Sequence, residues 1–303
     1  MLLQVYSVIF TTIVASRRSN TIRGGASLPS TKINKEENTM ELDSSVVLLY
    51  FSVKYEGDWD KIMAAVRKRE DIDEELALQY KDKYQGHYVT FLDAEYPKVL
   101  KQIYKPPFVL YYDGDISLIQ DYNKCVFVHG AREATNYGIE NITKIVHELP
   151  KYLTIITTPA LGINKCVIEE CYTEKKNVVM VTGGCVHQIY PSSCYNLWKK
   201  RPSNCLIISE HPEETPVDAL NIITRNRIAV GLSKIALFGD IKEHSSSYMC
   251  VDLALSLNRD VVTIPYPIDL GLKNNSLINQ GALFVESAEE LLTILNNTLF
   301  QNK

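Results

Sequence analysis

The sequence predicts a doubly wound α/β fold: a mainly parallel, Rossmann-like sheet preceded by a small helical domain. Three observations carry that reading. Short continuous apolar runs recur at residues 125–128, 153–157, 178–181, 205–209, 235–238 and 261–264, as strands buried on both faces of a parallel sheet require. The intervening stretches mostly carry helical patterns, as at 139–149, 163–172 and 248–257. The repeat of roughly 25–29 residues is the length of a strand–helix unit. Glycines, arginines and hydroxyl residues gather just after the runs, and open α/β sheets bind ligands outside the carboxyl ends of their strands.

Taken in order, residues 1–39 differ in texture from the rest. Residues 2–15 are apolar, but the run is too short for a bilayer and lacks the basic start of a signal peptide. A polar, Gly/Ser-rich linker follows, and the segment reads as an upstream start or a disordered extension rather than a membrane anchor. Residues 40–85 read as the helical domain. Asp58 can cap a helix with Ile62, Met63 and Val66 at helical spacing, and 71–83 repeats the pattern with Ile72, Leu76, Leu78 and Tyr80. Residues 86–303 read as the sheet domain. They open with apolar runs at 88–91 and 108–112, the second announced by Pro106-Pro107 and closed by Asp113-Gly114.

Composition bounds the function. Of 303 residues 46% are hydrophobic and 22% charged, which is ordinary globular usage. The net charge is -4, and residues 40–303 alone carry 27 basic against 34 acidic residues, or -7. A generally basic nucleic-acid binder is excluded, so any anion site must be a local patch. The seven cysteines include no C-x-x-C and no paired ligand spacing. They read as reduced thiols of a cytoplasmic protein, with no disulfide framework and no metal site expected.

The residues after each run carry the chemistry. His129-Gly130-Ala131-Arg132 follows the first core run and leads to Tyr137-Gly138. This is not G-x-G-x-x-G, and no acid occupies the ribose position, so a nicotinamide or flavin enzyme is disfavoured. A small-residue turn ending in arginine suits a phosphate oxygen; an arginine paired with a nearby carboxylate is the plain alternative. Thr157-Thr158 through Asn164 follow the second run, and Gly183-Gly184, Tyr190-Pro191 and Asn196 follow the third. Ser209-Glu210 and then Arg225-Asn226-Arg227 follow the fourth, and Ser245-Ser246-Ser247 the fifth. The paired glycines would let a ligand approach the backbone, and the two arginines make a second anion-facing cluster.

These pieces, in this order, resemble the DprA/Smf family of DNA-processing proteins, from about residue 96 to residue 294. The resemblance rests on Tyr96-Pro97, Pro106-Pro107, G-A-R at 130–132, Tyr137-Gly138, Gly183-Gly184, Tyr190-Pro191 with Asn196, Ser209-Glu210, R-N-R-I at 225–228, Gly231-Leu232-Ser233, and N-x-L-I-x-x-G-A at 275–282. There are departures. The family's S-G-L-A-x-G-I-D is T-T-P-A-L-G-I-N here, so a glycine has become Thr158 and the acid Asn164. His129 stands where the family has an apolar residue, S-G-S has become Ser245-Ser246-Ser247, and P-G has become Pro265-Tyr266. The small winged-helix-like module carried by many members is not expected after the sheet domain.

The resemblance implies a cytoplasmic protein that binds incoming single-stranded DNA, protects it and helps load a RecA-type recombinase, as a homodimer, without catalysis, cofactor or membrane. Residues 261–270 with the last helix are the dimer contact to expect. The expected DNA-contacting set is Gly130, Arg132, Thr157, Gly183, Gly184, Asn196, Arg225, Asn226, Arg227, Ser245 and Ser247, with the three arginines converging at the strand ends. Tyr137 and Tyr190 are candidates for base stacking by position. His129 and His187 invite a catalytic reading, but lone histidines are more often packed or surface residues. The rival reading is a module that binds a nucleotide-type small ligand on the same class of sheet. A phosphoribohydrolase is disfavoured because P-G-G-x-G-T is missing.

Overall fold

The computed structural model describes residues 42–300, so the expectation for residues 1–39 lies outside the described residues. Three helices open the described residues: α1 (Ser44–Lys54), α2 (Trp59–Lys68) and α3 (Glu74–Lys83). Asp58 caps α2, accepting from the amides of Asp60 and Lys61 at 3.1 Å each. Asp73 caps α3 through the Leu76 amide at 3.0 Å, so that helix starts three residues later than its apolar pattern does. The helices bury Leu48, Leu49, Phe51, Ile62 and Met63 in one core that is continuous with the sheet. Polar ties fix the same junction: Trp59 Nε1 donates to the Pro106 carbonyl at 2.9 Å, and Tyr111 donates to Ser52 Oγ at 3.0 Å. Tyr96, fully buried, donates to the Pro107 carbonyl at 2.8 Å, which joins the two proline motifs that precede the sheet.

The strands are β1 (Tyr88–Thr90), β2 (Val109–Asp113), β3 (Cys125–His129), β4 (Thr154–Thr157), β5 (Asn177–Val181), β6 (Cys205–Ser209), β7 (Ile235–Phe238), β8 (Asp260–Thr263) and β9 (Leu283–Phe284). They form one sheet in the order β1-β2-β6-β5-β4-β3-β7-β8-β9. Neighbours from β6 through to β9 are parallel, while β1 and β2 extend the β6 edge antiparallel. Val126, Phe127, Val128, Ile156, Val179, Ile207 and Leu237 are fully buried. Strands covered on both faces have no polar side to present, hence the unbroken apolar runs.

From β3 the chain steps outward through β4, β5 and β6, then crosses back to β7 on the other flank. The connecting helices α4 (Asn136–Glu148) and α5 (Ile163–Thr173) pack on each other. Further on come α6 (Tyr195–Lys199), α7 (Ala219–Thr224), α8 (Asn226–Gly231), α9 (Ser246–Ser256), α10 (Asn274–Asn279) and α11 (Ala288–Phe300). Of these, α8 packs on β4, β5 and α9, and α9 packs on β7 and β8. The chain leaves β3 and β7 in opposite directions, so their carboxyl ends bound the crevice of a doubly wound sheet.

The loops at that crevice lie backbone to backbone. The Ala131 amide donates to the Asp240 carbonyl at 2.9 Å, and the Ile163 amide donates to the Ala131 carbonyl at 3.3 Å. Gly162 makes the second contact possible. Its φ is 69° and its ψ -132°, and a Cβ there would lie 2.1 Å from the Ala131 carbonyl oxygen. Gly162→Ala therefore meets both a backbone clash and a conformation reserved for glycine. We expect it to lower unfolding stability by more than about 2 kcal/mol, measured by urea denaturation; an unchanged midpoint would contradict this packing.

Candidate functional site

His129 ends β3 and pairs in register with Phe238, the end of β7. It is 4% exposed, and its ring stacks on Phe127 at 5.4 Å. The Asn164 side chain, fully buried at the start of α5, organises the surroundings. Its Oδ1 accepts from the Gly130 amide at 3.2 Å, and its Nδ2 donates to the Thr158 carbonyl at 3.1 Å and Thr158 Oγ1 at 3.0 Å. The amide cannot be flipped without setting its NH2 against an N–H. Nδ2 also lies 2.9 Å from His129 Nδ1. Nδ1 must therefore accept, and the imidazole proton sits on Nε2. Burial, reinforced by the charges of Arg225 and Arg132, depresses the His129 pKa to about 3, so the ring is neutral.

Arg225 lies just ahead of α8 and is 3% exposed. One Nη2 hydrogen bond reaches the Pro159 carbonyl at 3.1 Å, the residue after Thr158, while Nε and Nη1 have no partner among the described residues. Burial first, and then the charge of Arg132, pull its pKa to about 10, so it remains cationic at neutral pH. Cys194 and Cys250 are its other electrostatic neighbours, and burial pushes the Cys250 thiol up to about 12. Arg132 is exposed at the mouth of the β3 loop. Among the described residues neither Arg132 nor Arg225 has a carboxylate partner.

Arg227 has a different fate from the one the sequence suggested. It is clamped to Glu210, Nη1 to Oε1 at 2.6 Å and Nη2 to Oε2 at 2.5 Å. It also donates to the Lys105 carbonyl at 2.8 and 3.1 Å. Burial would raise the Glu210 pKa, but Arg227 outweighs it and holds that carboxyl below its ordinary value. Arg132 and Arg225 thus share a neighbourhood, and Arg227 serves the junction with the helical region. Arg227 and Glu210 line a groove of about 550 Å³ between Trp59, Tyr104 and Leu220.

The other candidates divide in the same way. Thr157 Oγ1 donates to the Val128 carbonyl at 2.8 Å, a tie inside the sheet. At Gly183 a Cβ would lie 2.9 Å from the Asn221 backbone, and at Gly184 2.3 Å from Val217. The close approach that these glycines permit is that of the chain's own 217–222 segment. Ser245 caps α9, accepting from the Tyr248 amide at 3.3 Å, and Ser247 Oγ is buried without a partner. Asn226 is buried, and Asn196 is exposed on α6. Gly130 opens the loop after β3, against Ile163. Tyr137 and Tyr190 are 37% and 47% exposed, and Tyr137 donates to the Pro265 carbonyl at 3.1 Å. His187 is exposed, 3.6 Å from Glu213. On the far surface His147, Glu170 and Glu174 approach within 4.8 Å of one another, with His147 Nδ1 2.8 Å from Glu170. The His129–Asn164 pair is what sequence reasoning missed, although both residues depart from the pattern of the resembled family.

The His129 environment generates a pH prediction. An unfolded histidine titrates near about 6.5, so between that value and 3 the unfolded chain binds a proton that the folded chain refuses. The stability contribution is full above the unfolded pKa and is lost as pH falls, with a slope approaching about 1.4 kcal/mol per pH unit. Between pH 6.5 and 5, ahead of carboxylate titration, a His129→Leu variant should show a shallower loss in urea midpoint; parallel profiles would contradict the assignment.

Residues 87–296 match the family model of the DNA recombination-mediator protein A. Protein Smf of Synechocystis sp. is 30% identical over 226 residues, which cover 72% of this chain and 57% of that protein. The chain thus spans little more than half the length of that relative. Among solved structures, DNA processing protein A from Streptococcus pneumoniae superposes with a TM-score of 0.66 at 26% identity, over 77% of this chain and 81% of that one. The Helicobacter pylori DNA processing protein A, described for its single-stranded DNA binding mode, shares the fold at a TM-score of 0.61 and 23% identity, over 71% of this chain and 96% of that one. With the family model spanning more than two thirds of its length, the chain belongs to the DNA recombination-mediator protein A family, the DprA/Smf proteins of DNA processing.

Proposed function

We propose that this chain binds single-stranded DNA at the β3–β7 crevice, with Arg132 as the solvent-side phosphate contact. The observation that carries the reading is an exposed arginine without a carboxylate partner, set beside a second, buried one at the switch point of the sheet. Family membership supports the nucleic-acid class of ligand, as does the single-stranded DNA binding described for the Helicobacter pylori relative. An exposed guanidinium at a strand-end turn can meet a backbone phosphate bidentately, and the exposed Tyr137 and Tyr190 rings offer base-stacking faces. The net negative charge of residues 40–303 confines attraction to this patch, so affinity falls steeply with salt.

The role is binding rather than catalysis. The neutral His129 has its Nδ1 occupied by Asn164, and His187 lies in solvent beside Glu213, which leaves neither poised beside a nucleophile. Protection of incoming DNA and delivery to a RecA-type recombinase, by a homodimer in the cytoplasm, complete the proposal and follow the family's description as a recombination mediator. Ile268, 93% exposed in the 261–270 segment, is a starting point for locating the dimer contact. No helix among the described residues is long and apolar enough to cross a membrane.

Fluorescence anisotropy of a labelled single-stranded oligonucleotide with the full chain tests the proposal. Arg132→Ala should weaken binding about tenfold and lower the log–log salt slope by about 0.7, one neutralised phosphate. Duplex competitor should displace the strand poorly. The absence of salt-sensitive binding at low ionic strength would overturn the reading. Arg227→Ala should behave differently, because it leaves Glu210 buried and uncompensated: a stability loss of about 3–5 kcal/mol in denaturant. Wild-type stability in that variant would contradict the ion pair.

A further inference from the structure

The groove of about 550 Å³ beside the Glu210–Arg227 ion pair stands apart from the β3–β7 crevice, since neither His129 nor Arg132 lines it. Its walls are Trp59 at the start of α2, Tyr104 ahead of Pro106-Pro107, Leu220 and Ile223 on α7, and Met249 and Leu253 on α9. Tyr104, Leu220, Ile223 and Met249 stay in water, their exposure running from 44% at Ile223 to 65% at Leu220. Single exposed apolar residues are ordinary, but four around one concavity mark an unpartnered docking surface. The volume lies inside the range of about 300–1,000 Å³ typical of binding clefts.

Charge narrows the occupant. Asp58, Asp60, Asp218 and Glu210 line the groove against Lys105 and Arg227. Glu210 is taken by Arg227, Asp60 by Lys105 at 2.5 Å, and Asp58 by Lys61 at 3.2 Å. Asp218 caps α7 through the Asn221 amide at 2.7 Å and has no basic partner among the described residues. The Lys105 ammonium lies 5.6 Å from the centroids of both the Trp59 and the Tyr104 ring, so the aromatic wall favours positive charge. The occupant that fits is apolar, ends in cations and carries no acid. An isologous contact with a second copy would instead set this acidic rim against itself.

Residues 2–18 of the chain have that chemistry. Residues 2–15 hold no charged side chain, Arg17-Arg18 follows, and the first acid is Glu36. They are also within reach. The 11 residues of α1 make a helix about 16 Å long, and Gly57, Asp58 and Trp59, just past its end, line the groove. Residues 19–41, between Arg18 and the first described residue, can span roughly 75 Å. Tethering gives the segment an effective concentration on the order of millimolar, an advantage over any free partner of similar character. We propose that residues 2–18 dock in this groove, with residues 2–15 against Leu220, Ile223 and Met249 and with Arg17 or Arg18 beside Asp218. The chain's own extension then braces the seam between the start of α2 and the α7–α9 face.

Disulfide trapping in the full chain tests the proposal. Of the seven native cysteines only Cys166 is not buried, so Cys166→Ser provides the background. Ile9→Cys with Leu220→Cys is compared with Ile9→Cys and Tyr152→Cys, since Tyr152 is comparably exposed but lies ahead of β4, at the opposite end of the sheet. Mild oxidation should join residues 9 and 220 within one chain, read by mass spectrometry of the linked peptides. The yield should exceed the control by about fivefold or more and should not change on dilution. Arg17→Glu with Arg18→Glu should lower that yield about threefold or more. If Leu220→Cys fails to fold, judged by melting of the reduced chain, Met249→Cys on α9 takes its place. A yield no higher than the control overturns the proposal. Links that join two chains and vanish on dilution also overturn it, in favour of a second copy in the groove.

Discussion

The hydrogen bonds of one buried side-chain amide hold the candidate site together. Asn164 takes the Gly130 amide from the end of β3, gives its NH2 to Thr158 after β4, and presents the same nitrogen to His129. Two strand-end loops are thereby fixed to the start of α5, in a place where no solvent competes. Arg132 projects from the loop whose Ala131 carbonyl is packed against Gly162, the residue two before Asn164. The position of the exposed cation and the protonation of the buried imidazole thus follow from one arrangement.

Electrostatics separates what the R-N-R motif puts side by side. Arg225 and Arg227 are two residues apart, and on a helix that spacing sends side chains to nearly opposite sides. Arg227 finds Glu210 and closes the junction between the helical region and the sheet, whereas Arg225 enters the crevice and finds only one carbonyl. A buried pair whose partners are both satisfied is structural in effect. A buried cation without an anion is a demand on the environment. The cost of keeping Arg225 charged is tolerable when its field is matched by a ligand.

Much of the fold was legible because its signals are local. The apolar runs located all six core strands to within a residue, since a strand covered on both faces admits no alternation. Asp58 capped where a cap was expected, and the helical pattern of α5 began at the right residue, while those of α4 and α9 were read from three and two residues late. What failed was non-local. Gly183 and Gly184 read as room for a ligand, but the β6–β7 connection returns across them, and only the strand order reveals that. Arg227 read as an anion contact because its carboxylate lies on the end of another strand. His129 and Asn164, 35 residues apart, each looked like a lone substitution. That β3 and β4 are neighbours, with their ends level, is what makes them a pair.

The central claim is that burial and the neighbouring arginines keep His129 neutral while Asn164 places its proton on Nε2, and long-range nitrogen–proton NMR of the imidazole in the full chain measures this directly. At neutral pH the account predicts an Nε2–H tautomer with Nδ1 unprotonated, unchanged down to about pH 5 and consistent with a pKa near 3. An Nδ1–H tautomer, or a ring that charges near its ordinary pKa, would contradict it.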